Sequence, residues 1–122
     1  MQHADRMVSE HAAWRWQLLR DALAMLAAEP DEQIRCIDEA HPDEIALSFD
    51  DAYRFLPTLA ADGLHPPNDT RARLDAIHKA LTAMTSDHNP ALWTYEAIRT
   101  SQRWTHLRGL ARQAIAELPL TP

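Results

Sequence analysis

Glycine occurs twice in this chain of 122 residues, at Gly63 and Gly109, and valine occurs once, at Val8. Tight hairpins rely on glycine, and strands favour β-branched side chains. Alanine, leucine, arginine and glutamate, which all favour helices, are plentiful. The composition therefore predicts an all-α protein, and the length predicts a single helical domain spanning residues 1–122.

Apolar spacing and prolines predict a compact bundle of about five helices. The first helix is expected from a cap at Ser9 to Ala28, with an apolar face that covers more than half of its circumference. A short second helix is expected over residues 31–39, after Pro30.

The third helix is the least regular in its pattern. Ser48, with Asp51 three residues later, resembles a capping box, so we expect the helix to begin near Phe49, with residues 43–47 as a separate turn. Pro57 is expected to kink or restart this helix, and Gly63 is expected to end it.

Two longer helices are predicted in the second half of the chain. The fourth should run over residues 68–84. A short turn opened by Pro90 should precede the last helix, which buries Trp104 and has a possible break near Ser101.

Residues 29–62 hold most of the acid. They contain ten carboxylates against two arginines, an excess of eight negative charges, whereas the whole chain carries −6. Such a block repels nucleic acid and anionic membranes and steers basic partners towards itself. The carboxylates are Glu29, Asp31, Glu32, Asp38, Glu39, Asp43, Glu44, Asp50, Asp51 and Asp62.

The sequence carries no targeting or membrane signal. Asp5, Arg6 and Glu10 interrupt any apolar run of signal-peptide length, and no stretch approaches the length that spans a bilayer. With one cysteine, Cys36, no internal disulfide can form. We therefore expect a cytoplasmic protein.

No catalytic signature is present. The two glycines lie 46 residues apart, which excludes a P-loop, a dinucleotide-binding fingerprint and a nucleophile elbow. Asp75 and His78 make one carboxylate–histidine step on a helix, whereas helical dimetal sites need two, and Asp75 is equally placed to pair with Lys79. The histidines are interpreted as surface residues, and no metal or cofactor is expected.

Two further catalytic hypotheses are less favoured than non-catalytic interpretations of the same residues. Cys36 lies near His41, but the acidic neighbours should raise the pKa of its thiol, so we favour a small residue at the core edge. The adjacent carboxylates Asp50 and Asp51 point in different directions on a helix, as do Asp43 and Glu44, which favours a solvated acidic face over paired catalytic acids.

The arginines of the last helix flank its apolar stripe on both sides. We expect their stems to cover the core edge and their charged heads to lie in solvent, rather than to bind nucleic acid. They are Arg99, Arg103, Arg108 and Arg112.

Four tryptophans are present, at positions 14, 16, 93 and 104, and most should be buried. A tryptophan left exposed beside the acidic residues of 29–62 would be a candidate binding anchor, because aromatic residues concentrate binding energy.

The segment DEAHPDEIALSFDDAY, residues 38–53, best expresses the acidic character of the chain. In size, acidity and lack of a catalytic signature the protein resembles the small acidic immunity proteins of bacterial toxin systems, including contact-dependent growth inhibition. That resemblance implies a compact, cytoplasmic, cofactor-free and non-enzymatic protein that binds and blocks a toxic domain, often a nuclease.

The acidic segment predicts the surface that such a basic protein partner would contact. Carboxylates on a rigid helical scaffold mimic phosphates and speed encounter with a basic cleft. Tyr53 is expected to place its ring against the core and its hydroxyl near the contact. The predicted partner-binding residues are Asp38, Glu39, Asp43, Glu44, Asp50, Asp51 and Tyr53.

Two other classes of function remain open. One is a structural or regulatory module that self-associates or serves as a subunit through an apolar face. The other is a small helical metal-dependent enzyme that uses Asp75 and His78, or the region of Asp50 and Asp51.

Overall fold

A computed structural model of the protein describes residues 10–121, and within that range it is all-α, with no strand. Seven α-helical segments and one 3-10 turn follow one another along the chain. They are α1 (Glu10–Ala27), α2 (Pro30–Ile37), α3 (Asp43–Arg54), α4 (Leu56–Ala61), α5 (Asn68–Ser86), the 3-10 turn (Pro90–Trp93), α6 (Tyr95–Thr100) and α7 (Gln102–Glu117). With α3–α4 and α6–α7 each counted as one interrupted helix, the prediction of about five helices is confirmed.

The helices pack around α1 and α7, which lie against each other. α7 also packs against α5, and α1 packs against α3; α3 and α5 in turn contact each other. The side chains of Leu19, Phe49 and Leu107, from three different helices, are fully buried in the shared core. The chain end is tied to α1, because Trp16 Nε1 donates to the Pro119 carbonyl over 3.0 Å.

The wide apolar face predicted for α1 is largely covered. Leu19, Leu23 and Leu26 are fully buried, whereas Leu18 and Met25 are partly buried at one edge. The expected cap at Ser9 lies outside the described residues. The apolar edge of α1 that stays uncovered faces α3.

The prediction that the third helix begins near Phe49 is wrong, because α3 runs without interruption from Asp43. Pro42 has φ −52° and ψ −24°, so the backbone is already helical before the first turn. Ile45, Phe49 and Ala52 then form one apolar face at helical spacing, and burial of this face holds the whole segment as one helix. Ser48 is therefore an exposed residue in mid-helix and not a cap.

The predicted interruptions are confirmed. Pro57 lies in the first turn of α4, where a missing amide hydrogen costs nothing, and Gly63 follows this helix with a φ of +79° that favours glycine. Ser101 separates α6 from α7, and its side chain accepts a hydrogen bond from the Arg103 amide over 3.2 Å. Pro90 opens the predicted short turn.

The expectation that the head of Arg108 lies in solvent is wrong, since the residue is only 6% exposed. Its Nη1 donates to the Ile98 carbonyl and to Gln33 Oε1, both over 3.0 Å. Gln33, itself fully buried, donates through Nε2 to the Leu26 carbonyl over 3.0 Å and to the Met25 carbonyl over 3.1 Å. The Leu26 and Ile98 carbonyls lie in the last turns of α1 and α6, where a helix leaves its carbonyls without amides of its own; the Met25 carbonyl also accepts from the Ala28 amide over 3.3 Å.

Replacing Trp104 by alanine should lower the free energy of unfolding by about 3–5 kcal/mol. The side chain is fully buried, its ring packs edge-on against Trp93 at 5.8 Å between centroids, and its Nε1 donates to the Leu92 carbonyl over 2.8 Å. Chemical denaturation measures the change. A stability equal to that of the wild type would place Trp104 outside the core.

Replacing Arg108 by methionine should cost about 1–3 kcal/mol for each acceptor that loses its donor. Those acceptors are the Ile98 carbonyl and Gln33 Oε1. Arg103→Met is the matched control, because Arg103 forms an exposed ion pair with Asp87 and should change stability by less than about 1 kcal/mol. Equal denaturation midpoints for the two variants would contradict the capping role of Arg108.

Candidate protein-binding surface

The outward side of α3 carries an exposed leucine among four carboxylates. Leu47 is 49% exposed, and residues three and four positions away on either side are Asp43, Glu44, Asp50 and Asp51. On a helix, residues at these separations are surface neighbours, so the carboxylates surround the leucine. We call these five residues the acidic crest. The predicted binding carboxylates on α3 therefore lie together around an apolar centre.

The crest keeps most of its negative charge. Asp43 lies 2.9 Å from the His41 imidazole, and Asp50 lies 2.8 Å from Arg54 in an exposed ion pair. Glu44 and Asp51 make no ion pair or side-chain hydrogen bond with any residue of the range 10–121. An exposed pair offers little competition to a partner, because water already weakens it.

Other carboxylates of the acidic block are neutralised by the C-terminal helices. Glu29 lies 2.9 Å from Arg112, and Asp31 lies 3.2 Å from Arg99. These pairs bridge distant parts of the sequence, so no local pattern indicates them. These pairs are exposed, as the Asp50–Arg54 pair of the crest is, and they leave Glu44 and Asp51 of the crest without an ionic partner among the described residues.

Asp38 and Glu39 lie in the loop between α2 and α3. Both have left-handed backbone conformations, with φ values of 42° and 68°. The amide of Asp38 donates to the Arg35 carbonyl and ends α2 two residues earlier than predicted, and the Tyr95 hydroxyl holds the loop by donating to the Ala40 carbonyl over 3.0 Å. Both carboxylates are exposed, and neither has a polar partner among the described side chains.

Tyr53 faces α5 rather than the middle of the crest. Its ring stacks on Phe49 at 5.6 Å and on the His78 imidazole at 4.5 Å between centroids, so the expected contact with the core is present. Its hydroxyl donates to Asp75 Oδ1 over 2.6 Å, and Arg71 Nε donates to the same oxygen over 3.0 Å. Asp75 therefore pairs with Tyr53 and Arg71, and not with Lys79 as the sequence suggested.

This cluster shifts three pKa values, and the hydrogen bond to Asp75 raises that of Arg71. Burial raises the pKa of the Tyr53 hydroxyl, and its hydrogen bond to Asp75 raises it further. Burial opposes ionisation of Asp75, but the hydrogen bonds from Tyr53 and Arg71 outweigh it and hold the pKa of this carboxyl below its ordinary value. The Asp75 carboxylate is thus an acceptor engaged by two donors, which is the chemistry of a structural anion and not of a proton acceptor.

The other candidate chemistry of the sequence is not assembled within residues 10–121. No group of three or more histidine, cysteine or acidic side chains in that range is placed to hold a metal ion. Cys36 is exposed, which corrects its expected place at the core edge. Partial burial and a hydrogen bond to Glu32 raise the pKa of its thiol, the direction predicted, although Glu32 was not among the neighbours expected to cause it.

Trp14 is the exposed tryptophan beside the acid. It is 58% exposed, whereas Trp16 and Trp104 are buried and Trp93 is partly buried, so the expectation that most tryptophans are covered is confirmed. The Trp14 ring tilts against Phe55 at 6.1 Å between centroids, and the guanidinium of Arg15 lies 5.0 Å from the same phenyl ring.

Trp14 forms one end of an open groove of about 680 Å³ between α1 and the α3–α4 segment. We call it the Trp14 groove. Asp51 belongs to both the groove and the crest, so the two features are continuous on the surface. The lining residues are Trp14, Leu18, Asp21, Ala22, Met25, Ser48, Asp51, Ala52, Arg54, Phe55 and Thr58.

Comparisons of the chain with protein-family models, with curated proteins and with solved structures find no match. Of the helices within residues 10–121, none has the length and apolar character needed to cross a membrane. The functional interpretation therefore depends on the geometry of the crest and the groove.

Asp75→Asn should reduce stability at neutral pH and have little effect in strong acid. A lowered carboxyl pKa stabilises the fold above the ordinary value of 3.8, and that contribution is lost as the pH falls through the lower folded value. Urea denaturation at a series of pH values measures it. Tyr53→Phe, which removes one of the two donors, should give a smaller change of the same sign; a stability loss for Asp75→Asn that is independent of pH would contradict this account.

Proposed function

We propose that this protein is a non-enzymatic, cytoplasmic binding protein that neutralises a basic protein partner through its acidic surface. The partner would be a toxin domain of the nuclease type, and the protein would act as its immunity protein. The observation that carries the proposal is the acidic crest, in which half-exposed Leu47 is surrounded by four carboxylates.

Carboxylates that served only solubility would not need to surround an exposed apolar side chain. Protein interfaces, by contrast, commonly place an apolar anchor at the centre of a polar rim that excludes water around it. The crest has this arrangement within one helix. A partner with an apolar pocket among lysines and arginines would complement it.

The distribution of charge supports a basic partner. Arg99 and Arg112 pair with Asp31 and Glu29 elsewhere on the molecule, and Arg54 pairs with Asp50 on the crest, whereas Glu44 and Asp51 make no ion pair among the described residues. A nuclease cleft is basic because it binds phosphates, and carboxylates on a rigid helix are drawn to it at rates that depend on salt. Nucleic acid and anionic membranes would be repelled by the same charge.

Reversing the four crest carboxylates to lysine should slow association with the partner at least about tenfold at low salt and weaken its salt dependence. The partner to test is the product of the neighbouring gene. Surface plasmon resonance measures the rates, and survival of cells that express this product measures protection. Circular dichroism should show an unchanged helix content, because the substituted side chains are outside the core.

The matched control reverses four other exposed acids, Glu10, Asp62, Asp69 and Glu96. Both quadruple variants change the net charge of −6 by the same amount, and both include acids in the first turn of a helix. The control should retain fast association and protection. Equal binding rates and full protection by both variants would mean that the crest is only a solvated face.

Self-association is a second candidate, and exposed Trp14 beside an apolar groove is the observation that favours it. A mass that rises with concentration in analytical ultracentrifugation would support it. The acid beside the groove opposes it, because a symmetric dimer brings the same charged surface of two molecules together. We therefore rank it below the binding of a basic partner.

A further inference from the structure

We propose that the Trp14 groove receives an amphipathic helix of a basic protein, with apolar side chains in the groove and lysines or arginines over its rim. This proposal rests on the proposed function for the basic character of the partner. It goes further by assigning a second contact, of different chemistry, beside the crest.

The shape of the groove suits a helix. Trp14, in the first half of α1, contacts Phe55 at the end of α3, so the two helices that form the walls run antiparallel. On the α1 side the groove extends from Trp14 to Met25, which is about 16 Å, or three helical turns. A third helix lying between two others is a common mode of peptide recognition.

The floor of the groove is apolar and is formed by small side chains. Ala22 and Ala52 are 5% and 1% exposed, and their small side chains leave the space that a larger residue would fill. Leu18 and Met25 are partly buried beside them. A flexible methionine adapts to differently shaped apolar side chains, and Trp14 adds a large rigid wall at one end.

The rim of the groove is acidic on both walls. Asp21 lies on α1 and Asp51 on α3; Asp21 accepts a hydrogen bond from Gln17 over 2.8 Å, which leaves its charge in place. Of the described cations, Arg54 lines the groove and is paired with Asp50 at 2.8 Å, and Arg15 lies over the Phe55 ring at the Trp14 end. An apolar floor between carboxylates is complementary to a helix with apolar residues on one face and basic residues at its edges.

The same charges argue against two other occupants. A second copy of this chain would bring its own net −6 to an acidic rim, and an anionic lipid surface would be repelled by both walls. The groove therefore matches a cationic amphipathic segment better than either.

The probe for this site is a fluorescent peptide of about 18 residues built from lysine and leucine, with leucines spaced to form one face of a helix. A second peptide has glutamine in place of every leucine and the same charge, and a third has glutamate in place of every lysine. Fluorescence anisotropy should show that the lysine–leucine peptide binds at least tenfold more tightly than either of the others. Equal affinity for the lysine–leucine and lysine–glutamine peptides would overturn the apolar part of the proposal.

Two substitutions test the location of the peptide. Ser48→Trp fills the groove from an exposed position, and Trp14→Ala removes its wall; each should weaken binding of the lysine–leucine peptide at least tenfold. Leu120→Ala is the matched control, because Leu120 is 75% exposed and follows Pro119, which is bonded to Trp16 on another side of α1. It should bind the peptide as the wild type does.

The outcomes separate the groove from the proposed function. Wild-type affinity for the peptide in both Ser48→Trp and Trp14→Ala overturns the groove and leaves the crest assay unaffected. Weakened peptide binding by these variants, together with crest reversal that leaves the neighbouring gene product bound and cells protected, supports the groove and overturns the proposed function. Self-association of the wild type that Ser48→Trp abolishes would assign the groove to a second copy and overturn the proposal.

Discussion

A helix that ends inside a protein leaves carbonyl groups that no amide of the same helix can reach, and burying them unpaired is costly. In this protein α1 and α6 both end against the core. The Gln33 side chain donates to a carbonyl in the last turn of α1, and the Arg108 side chain donates to one in the last turn of α6. One hydrogen bond between Gln33 and Arg108 then joins the two caps. Burial lowers the pKa of the Arg108 guanidinium. This polar link joins α2, which packs beside α6, to α7, and the loop that leads into α3 follows α2.

The sequence predicted the fold class well, because glycine and valine scarcity and proline positions act locally. The start of α3 was missed for the opposite reason. Ser48 and Asp51 have the spacing of a local cap. Whether the face with Ile45 and Phe49 is buried, however, depends on α1, which packs against it. Burial of that face outweighs the local preference, which single-sequence reasoning has no means of weighing.

For the proposed binding surface, the sequence identified the carboxylates but not which of them pair with arginines. Arg112 and Glu29 are 83 positions apart, and Arg99 and Asp31 are 68 apart, so their pairing follows from the fold. The exposure of Trp14 has the same origin. A helical wheel shows the breadth of the apolar face of α1, but only the arrangement of its neighbours determines which edge stays uncovered.

The two sides of α3 have separate roles in the molecule. Ile45, Phe49 and Ala52 hold the helix in the core, and the crest residues lie on the opposite side of the helix. A lineage can therefore rewrite the outward sequence of α3 without refolding the protein. The recognition that we propose for this helix could then change in steps as small as one side chain, at rates set by a partner rather than by the demands of folding.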